Sequence, residues 1–333
     1  MRGLATILVL AVLAAGCGSQ SGLHIENGGH TVAVVPAGSP VSGHSTTAAL
    51  PRRVTARIPL GGMPAIAWNG ATTMWAAVWA GGPHLLGSLI AVDTATGAAA
   101  PATVLPASNT PYLIAATSAA LYVAGGGAVM RIDPSTGRVI QRRDLGARLR
   151  ALLFAQGRLW VTAEGGRLVQ LDPGTLRVVA TRHVTGHPDA ITTDAGAVLV
   201  TDDHDRTLTR MDIANGKVTG TTSIAANGAG RPSQITVYAD SIWVYEGTTV
   251  LRVATEALQL LDRITVPGGG GSIAAGTGGV WVSGNFGVAR IDPATGALDT
   301  PVAVGQAGAA IATTGDAVWV VQRPTGTLLR LVP

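Results

Sequence analysis

The amino-acid sequence predicts an all-β fold: a seven-bladed β-propeller of four-stranded antiparallel blades, its N-terminal strand closing the last blade. Three observations carry this. A turn beginning with Asp recurs about every 40 residues, the period of a propeller blade. A short β-rich run, often containing Trp, precedes each turn. No segment after the amino terminus sustains the 3.6-residue apolar period of a helix.

The chain opens on a targeting segment. Met1-Arg2 is a short positive start, and the twelve residues from Leu4 to Ala15 are apolar apart from Thr6. A helical bilayer span needs roughly 20 residues, so this run is too short to cross and suits a secretory signal. It ends in Leu13-Ala14-Ala15-Gly16-Cys17, which resembles the lipobox of bacterial lipoproteins. The resemblance implies cleavage before Cys17, diacylglycerol on its thiol, and anchoring at the extracytoplasmic face of the cell membrane. Ala14 departs from the commoner Leu. Cys17 is the chain's one cysteine, so it has no internal disulfide partner. Residues 1–16 are assigned to the signal peptide. Residues 17–50, with Gly, Ser, Thr, His and Pro and little apolar periodicity, read as a lipid-anchored flexible linker. His24, His30 and His44 lie there, too dispersed for a ligand set.

Residues 51–333 are the propeller. The turn appears as Val92-Asp93-Thr94-Ala95-Thr96-Gly97, Ile132-Asp133-Pro134-Ser135-Thr136-Gly137, Leu171-Asp172-Pro173-Gly174-Thr175, Met211-Asp212-Ile213-Ala214-Asn215-Gly216 and Ile291-Asp292-Pro293-Ala294-Thr295-Gly296. Asp accepts backbone N–H bonds, Pro presets φ, and Gly takes the left-handed position, so each is a hairpin turn with a mechanism. The Asp recurs at spacings of 40, 39 and 40 from Asp93 to Asp212. A degenerate copy falls at Thr255, and Arg330-Leu331-Val332 matches Arg290-Ile291-Asp292.

Seven second strands precede the turns, at Met74-Trp75, Leu121-Tyr122-Val123, Leu159-Trp160-Val161, Leu199-Val200, Ile242-Trp243-Val244, Val280-Trp281-Val282 and Val318-Trp319-Val320. Each has another run upstream, often after Pro (Pro64, Pro111, Pro188, Pro232), giving blades of order A-B-C-D. Both faces of a blade pack on neighbours, which is why strand B is apolar at successive positions. The last unit stops after its third strand, whereas Val54–Leu60 at the start has the pattern of a fourth strand. That strand is expected to complete the last blade and remove exposed sheet edges.

Composition narrows function less than fold. Hydrophobic residues make up 47% of the 333 and charged residues 13%, enough to bury a large core. Net charge is +4, but the basic residues are scattered, and the chain has only two Phe and four Tyr. A nucleic-acid surface needs a continuous basic footprint with stacking aromatics, so no nucleic-acid partner is expected.

The Trp-Val run, the Arg-Ile-Asp-Pro-x-Thr-Gly turn and the Pro-x-x-Ile start of strand A resemble the YVTN-type propellers and the virginiamycin B lyase-like (streptogramin lyase) superfamily, over about residues 54–333. These are scaffold residues, so they specify a fold and not a reaction.

Propeller topology brings the D–A and B–C loops to one face around an axial funnel, with the Asp turns opposite. Funnels of this kind favour ligands. The funnel loops supply His84, Asn109, Arg148, Glu164, His187, Asp189, Asp202, Asp203, His204, Arg231, Glu246, Asn285, Gln306 and Arg323. The densest polar run is Asp202-Asp203-His204-Asp205, where adjacent carboxylates could take Mg²⁺ or Ca²⁺, or be solvated beside Arg206. Asp202, Asp203 and His204 are therefore the metal candidates, although no cofactor is required.

The lyase resemblance implies a catalytic His before strand A and a catalytic Glu at the end of strand B of one blade, with Mg²⁺ nearby. Blade 4 offers His187 with Asp202, and blade 5 offers Glu246 without a His, so no blade carries the pair. His187, Asp202 and Glu246 stand as the catalytic candidates of that alternative. The favoured expectation is a monomeric, membrane-anchored binding module that takes a protein, peptide or glycan at the funnel face. The alternative is a metal-dependent lyase or hydrolase of the same fold.

Overall fold

The computed structural model describes residues 21–26, 30–33, 53–60, 63–68, 70–79, 87–105, 113–184, 186–225, 230–269, 271–276, 278–305, 307–322 and 325–333. Among them there is no helix. Three strands precede the first blade: β1 (Ser21–Glu26), β2 (His30–Ala33) and β3 (Arg53–Pro59). Blade 1 is β4 (Met63–Trp68), β5 (Thr73–Trp79), β6 (Gly87–Asp93) and β7 (Thr103–Val104). Blade 2 is β8 (Leu113–Ala116), β9 (Leu121–Gly125), β10 (Ala128–Ile132) and β11 (Val139–Asp144). Blade 3 is β12 (Leu149–Ala155), β13 (Arg158–Ala163), β14 (Arg167–Leu171) and β15 (Val178–His183). Blade 4 is β16 (Pro188–Asp194), β17 (Ala197–Asp202), β18 (Thr207–Asp212) and β19 (Val218–Ser223). Blade 5 is β20 (Pro232–Tyr238), β21 (Ser241–Glu246), β22 (Thr249–Ala254) and β23 (Leu260–Thr265). Blade 6 is β24 (Ser272–Gly276), β25 (Gly279–Gly284) and β26 (Gly287–Ile291), and blade 7 is β27 (Ala307–Thr313), β28 (Val318–Gln322) and β29 (Thr327–Val332).

The ring closes as the sequence requires. β3 pairs antiparallel with β29 from Val332↔Arg53 to Thr327↔Pro59, making the outer strand of blade 7. β3 and β29 thereby seal each other's edge.

Outer strands are weakest in blades 1 and 6, and the reason is local. Pro101 and Pro301 fall within the outer segments, and Pro has no N–H to give a ladder. Blade 1 keeps only the two residues of β7 and a bridge at Ala99, while blade 6 keeps bridges at Leu298 and Val302.

Within each blade, strand B is the packing element. β17, β21 and β25 are buried along their whole length, and Trp160, Trp243, Trp281 and Trp319 are among the largest fully buried side chains. An Arg on strand C lies directly across from the aromatic on strand B: Tyr122↔Arg131, Trp243↔Arg252, Trp281↔Arg290 and Trp319↔Arg330. The guanidinium carbons of Arg252 and Arg330 stand 5.3 and 5.9 Å from the indole centroids. Cation–π attraction lets the charged head cap a buried ring.

The Asp turns work as read. Asp93 Oδ1 accepts N–H bonds from Ala95 and Thr96 and the Thr96 hydroxyl, and Asp133, Asp172 and Asp292 repeat the pattern. In blade 5 the Asp place is taken by Ala254, whose N–H bonds Gln259 O as that of Asp292 bonds Ala297 O. The degenerate copy is thus one residue earlier than Thr255.

The stretch 17–50, read as a tether, contains paired backbone. β1 pairs with β8 (Ser21↔Ala116, Gly22↔Ala115) and with β12 (Leu23↔Leu152, His24↔Ala151), joining the inner strands of blades 2 and 3. β2 pairs with β1. Inner strands have one ladder edge facing the axis, and β1 occupies two such edges.

Candidate functional site

Each inner strand of blades 3, 4 and 5 starts with a register shift: between Leu149 and Ala151, between Pro188 and Ile191, and between Pro232 and Gln234. Such bulges re-aim a side chain. They set Arg150 and Asp189, which hold equivalent places in adjacent blades, toward one another at the funnel mouth. Arg150 Nε and Nη2 donate to Asp189 Oδ1 at 2.8 and 2.5 Å, and Nη2 also donates to Asp203 Oδ2 at 3.1 Å. The Asp189 side chain is fully buried and that of Arg150 is 18% exposed. Arg231 of blade 5 approaches Asp203 from the far side at 3.9 Å. Arg206 of blade 4 stands 3.9 Å from the buried Glu246 of blade 5. Blades 3, 4 and 5 are thus tied by alternating charge, each link crossing a blade boundary.

Asp202, also fully buried, has a third task. Its Oδ2 accepts the His187 N–H at 2.7 Å, and its Oδ1 accepts the N–H groups of His204 and Asp205 at 2.9 and 2.7 Å. A second link, the Asp203 N–H to His187 O at 3.3 Å, completes the clamp. One carboxylate therefore fixes the two funnel loops of blade 4 to each other. The imidazoles of His187 and His204 consequently lie close, with ring centroids 5.0 Å apart and planes tilted by 38°. Both are exposed, and His204 Nδ1 lies 2.8 Å from Asp205 Oδ1.

The other candidates are dispersed. Glu164 is exposed and pairs with Arg148 at 3.7 Å. Asn285 donates to Gly268 O at 3.4 Å, tying two loops of blade 6. Burial pushes the Tyr245 hydroxyl well above its ordinary range, so it stays neutral beside this face. Cys17, His84, Asn109, Gln306 and Arg323 lie outside the described residues.

This geometry redirects the roles expected of the acids. Asp202 spends both oxygens on backbone N–H groups, Asp189 and Asp203 face arginines, and Glu246 faces Arg206. Among the described residues no three or more His, Cys, Asp or Glu side chains gather as a metal-binding group. Arg150 and Arg206, which organise the cluster, were not singled out from the sequence. The signal of Arg150 is visible when blades are aligned at the bulge, where Arg150 and Asp189 coincide.

Among solved structures, the chain is similar to BamB from Moraxella catarrhalis at 14% identity and TM-score 0.60, covering 85% of this chain and 100% of that one. It is similar to the Cps50 (Swd1) β-propeller domain of Myceliophteria thermophila at 13% identity and TM-score 0.67, with 85% and 100% covered. A chain of the mitotic checkpoint complex aligns at 11% identity and TM-score 0.69, with 89% and 96% covered. At such identities the likeness is one of fold. Comparison with curated proteins gives no match. A family model described as outer membrane protein assembly factor BamB (PQQ_2) matches residues 85–297, more than half of the sequence, and the chain belongs to that family.

Proposed function

We propose that this protein is an exported, membrane-anchored interaction module whose funnel face docks a protein or peptide partner in the bacterial cell envelope. The observation that carries this reading is the use of the funnel-face charges. Asp189, Asp203 and Glu246 face arginines of neighbouring blades and Asp202 clamps the blade-4 loops, while Glu164, His187, His204, Asp205 and Arg231 are exposed as a mixed polar surface. Rigid backbone presenting exposed polar side chains on loops suits recognition. Membership of the BamB family supports a protein partner and an extracytoplasmic place. The lipobox resemblance at Cys17 supplies the anchor, and the closed ring suits a monomer.

Site-specific photo-crosslinking in the native envelope tests the reading. A crosslinking amino acid at Arg231 or Glu164, on the funnel face, is expected to trap a discrete protein adduct. The same amino acid at Thr136 or Asn215, in turns on the opposite face, is expected to trap none. Adducts confined to the turn face, or absent from both, would overturn the docking face proposed.

A further inference from the structure

We propose that His187 and His204 form a surface site for a borderline divalent transition metal, such as Cu²⁺, Ni²⁺ or Zn²⁺, in which the protein supplies two imidazole ligands and water supplies the rest. The inference rests on the blade-4 loop geometry and is independent of whether the funnel docks a partner.

Three features of the loops argue for it. The first is spacing. Metal–nitrogen bonds of about 2.0–2.1 Å place each ring centroid roughly 3.2 Å from the metal, so two rings at a tetrahedral angle lie about 5 Å apart. The observed centroid separation is 5.0 Å, which matches that spacing. The second is tautomer. Asp205 Oδ1, 2.8 Å from His204 Nδ1, is an acceptor and holds the proton on that nitrogen. The Nε2 lone pair of His204 is left for a metal, in the carboxylate–histidine arrangement common to metal sites.

The third is preorganisation. The buried Asp202 carboxylate accepts N–H bonds from both His187 and His204, so the two backbones are fixed relative to each other before any ion arrives. Ordering two independent loops would otherwise oppose binding. Donor chemistry selects the ion. Two neutral imidazoles suit Cu²⁺, Ni²⁺ and Zn²⁺, whereas Mg²⁺ and Ca²⁺ prefer oxygen ligands. The oxygens of Asp202 already serve the loop.

Equilibrium dialysis of the full chain against micromolar Cu²⁺, Ni²⁺ and Zn²⁺, after stripping with EDTA, tests the site. Retention of about one equivalent is expected, strongest for Cu²⁺ by the Irving–Williams order. His187→Ala and His204→Ala are each expected to abolish that equivalent, and Asp205→Asn to weaken it by roughly tenfold to a hundredfold. Pulsed electron paramagnetic resonance of the wild-type Cu²⁺ adduct should show two coordinated imidazoles. Near-ultraviolet circular dichroism, reporting the buried tryptophans, identifies any variant that has lost its fold. Both histidines are exposed, so both variants are expected to keep it. No retention by the wild type would overturn the proposal. So would retention unchanged in folded His187→Ala and His204→Ala, which would assign the ion to other histidines.

Discussion

Arg150 of blade 3 and Asp189 of blade 4 occupy the same position in successive repeats, and their side chains close on each other across the blade boundary through two N–H donors. Asp189 is wholly buried, and that guanidinium gives it a counter-charge at hydrogen-bond distance. Removing one partner of a buried pair strands the other charge, at a cost of about 3–5 kcal/mol. Arg150→Leu is therefore expected to be strongly destabilising in urea denaturation. Arg150→Leu with Asp189→Leu should recover part of the loss, because no buried carboxylate is then left without its cation. A double variant less stable than the single one would show that the pair is not the staple described.

Ring closure gives a second prediction. β3 supplies the whole outer ladder of β29, including Leu328↔Ile58 and Arg330↔Ala56. Ile58 and Leu60 are also buried in the core shared by blades 1 and 7. Deleting residues 53–60 exposes the β29 edge and that core together. The deletion is expected to give a large fall in melting temperature or outright aggregation. A melting temperature within a few degrees of wild type would mean that the amino-terminal strand contributes little to closure.

Much of this architecture was legible because it repeats. The Asp turn and the strand-B Trp each recur in several copies, and a single weak copy such as Ala254 does little harm. Four-strand blades were read uniformly, yet Pro101 and Pro301 already signal where an outer ladder must thin. The site was harder to read. Asp202, Asp203 and Glu246 look alike in sequence, as acids after strand B, and only bulge geometry decides that one clamps loops while the others meet arginines. Arg150 was passed over because it falls within a strand, where no loop marks it. The pairing of β1 with β8 and β12 had no repeat to reveal it. Polar, glycine-rich composition there reads as tether.

The proposed anchoring rests on the Cys17 thiol. If the Cys17 thiol carries the lipid, Cys17→Ser leaves a chain without the acyl groups that hold it at the bilayer. The variant is expected in the soluble envelope fraction after a high-salt wash, with the wild type retained on membranes. Equal retention of both would sink lipidation at Cys17.

Acid should weaken the Asp turns. Thr96 holds the carboxyl of Asp93 below its ordinary value, through its N–H and then its hydroxyl. For Asp133 and Asp172 the hydroxyls of Ser135 and Thr175 do most, ahead of the N–H groups. A depressed folded-state value means the carboxylate form stabilises the fold above the unfolded-state value, and the benefit is lost as pH falls through the lower folded value. Asn keeps an acceptor oxygen but binds no proton. The stability gap between wild type and the Asp133→Asn, Asp172→Asn double variant is therefore expected to shrink from about pH 5 to about pH 2. A gap constant across that range would show that these turns do not titrate with folding.

Leu176 sets backbone preference against packing. In blades 1, 2, 4 and 6 the turn ends in Gly97, Gly137, Gly216 or Gly296 at φ between 67° and 73°. Blade 3 puts Leu176 there at φ 53°, and blade 5 puts Leu258 at φ 51°. A non-glycine residue in this region costs roughly 1–2 kcal/mol. Both leucines are nevertheless buried, at 2% and 6% exposure, Leu176 in the core between blades 2 and 3 with Tyr122 and Leu159. Truncating a buried leucine costs about 2–5 kcal/mol, which exceeds the strain it would relieve. Leu176→Gly, which restores the residue of the other blades, is therefore expected to destabilise the protein by about 1–3 kcal/mol. The free energy of urea unfolding decides the matter: an increase on Leu176→Gly would mean that backbone strain, and not the side-chain anchor, dominates at this turn.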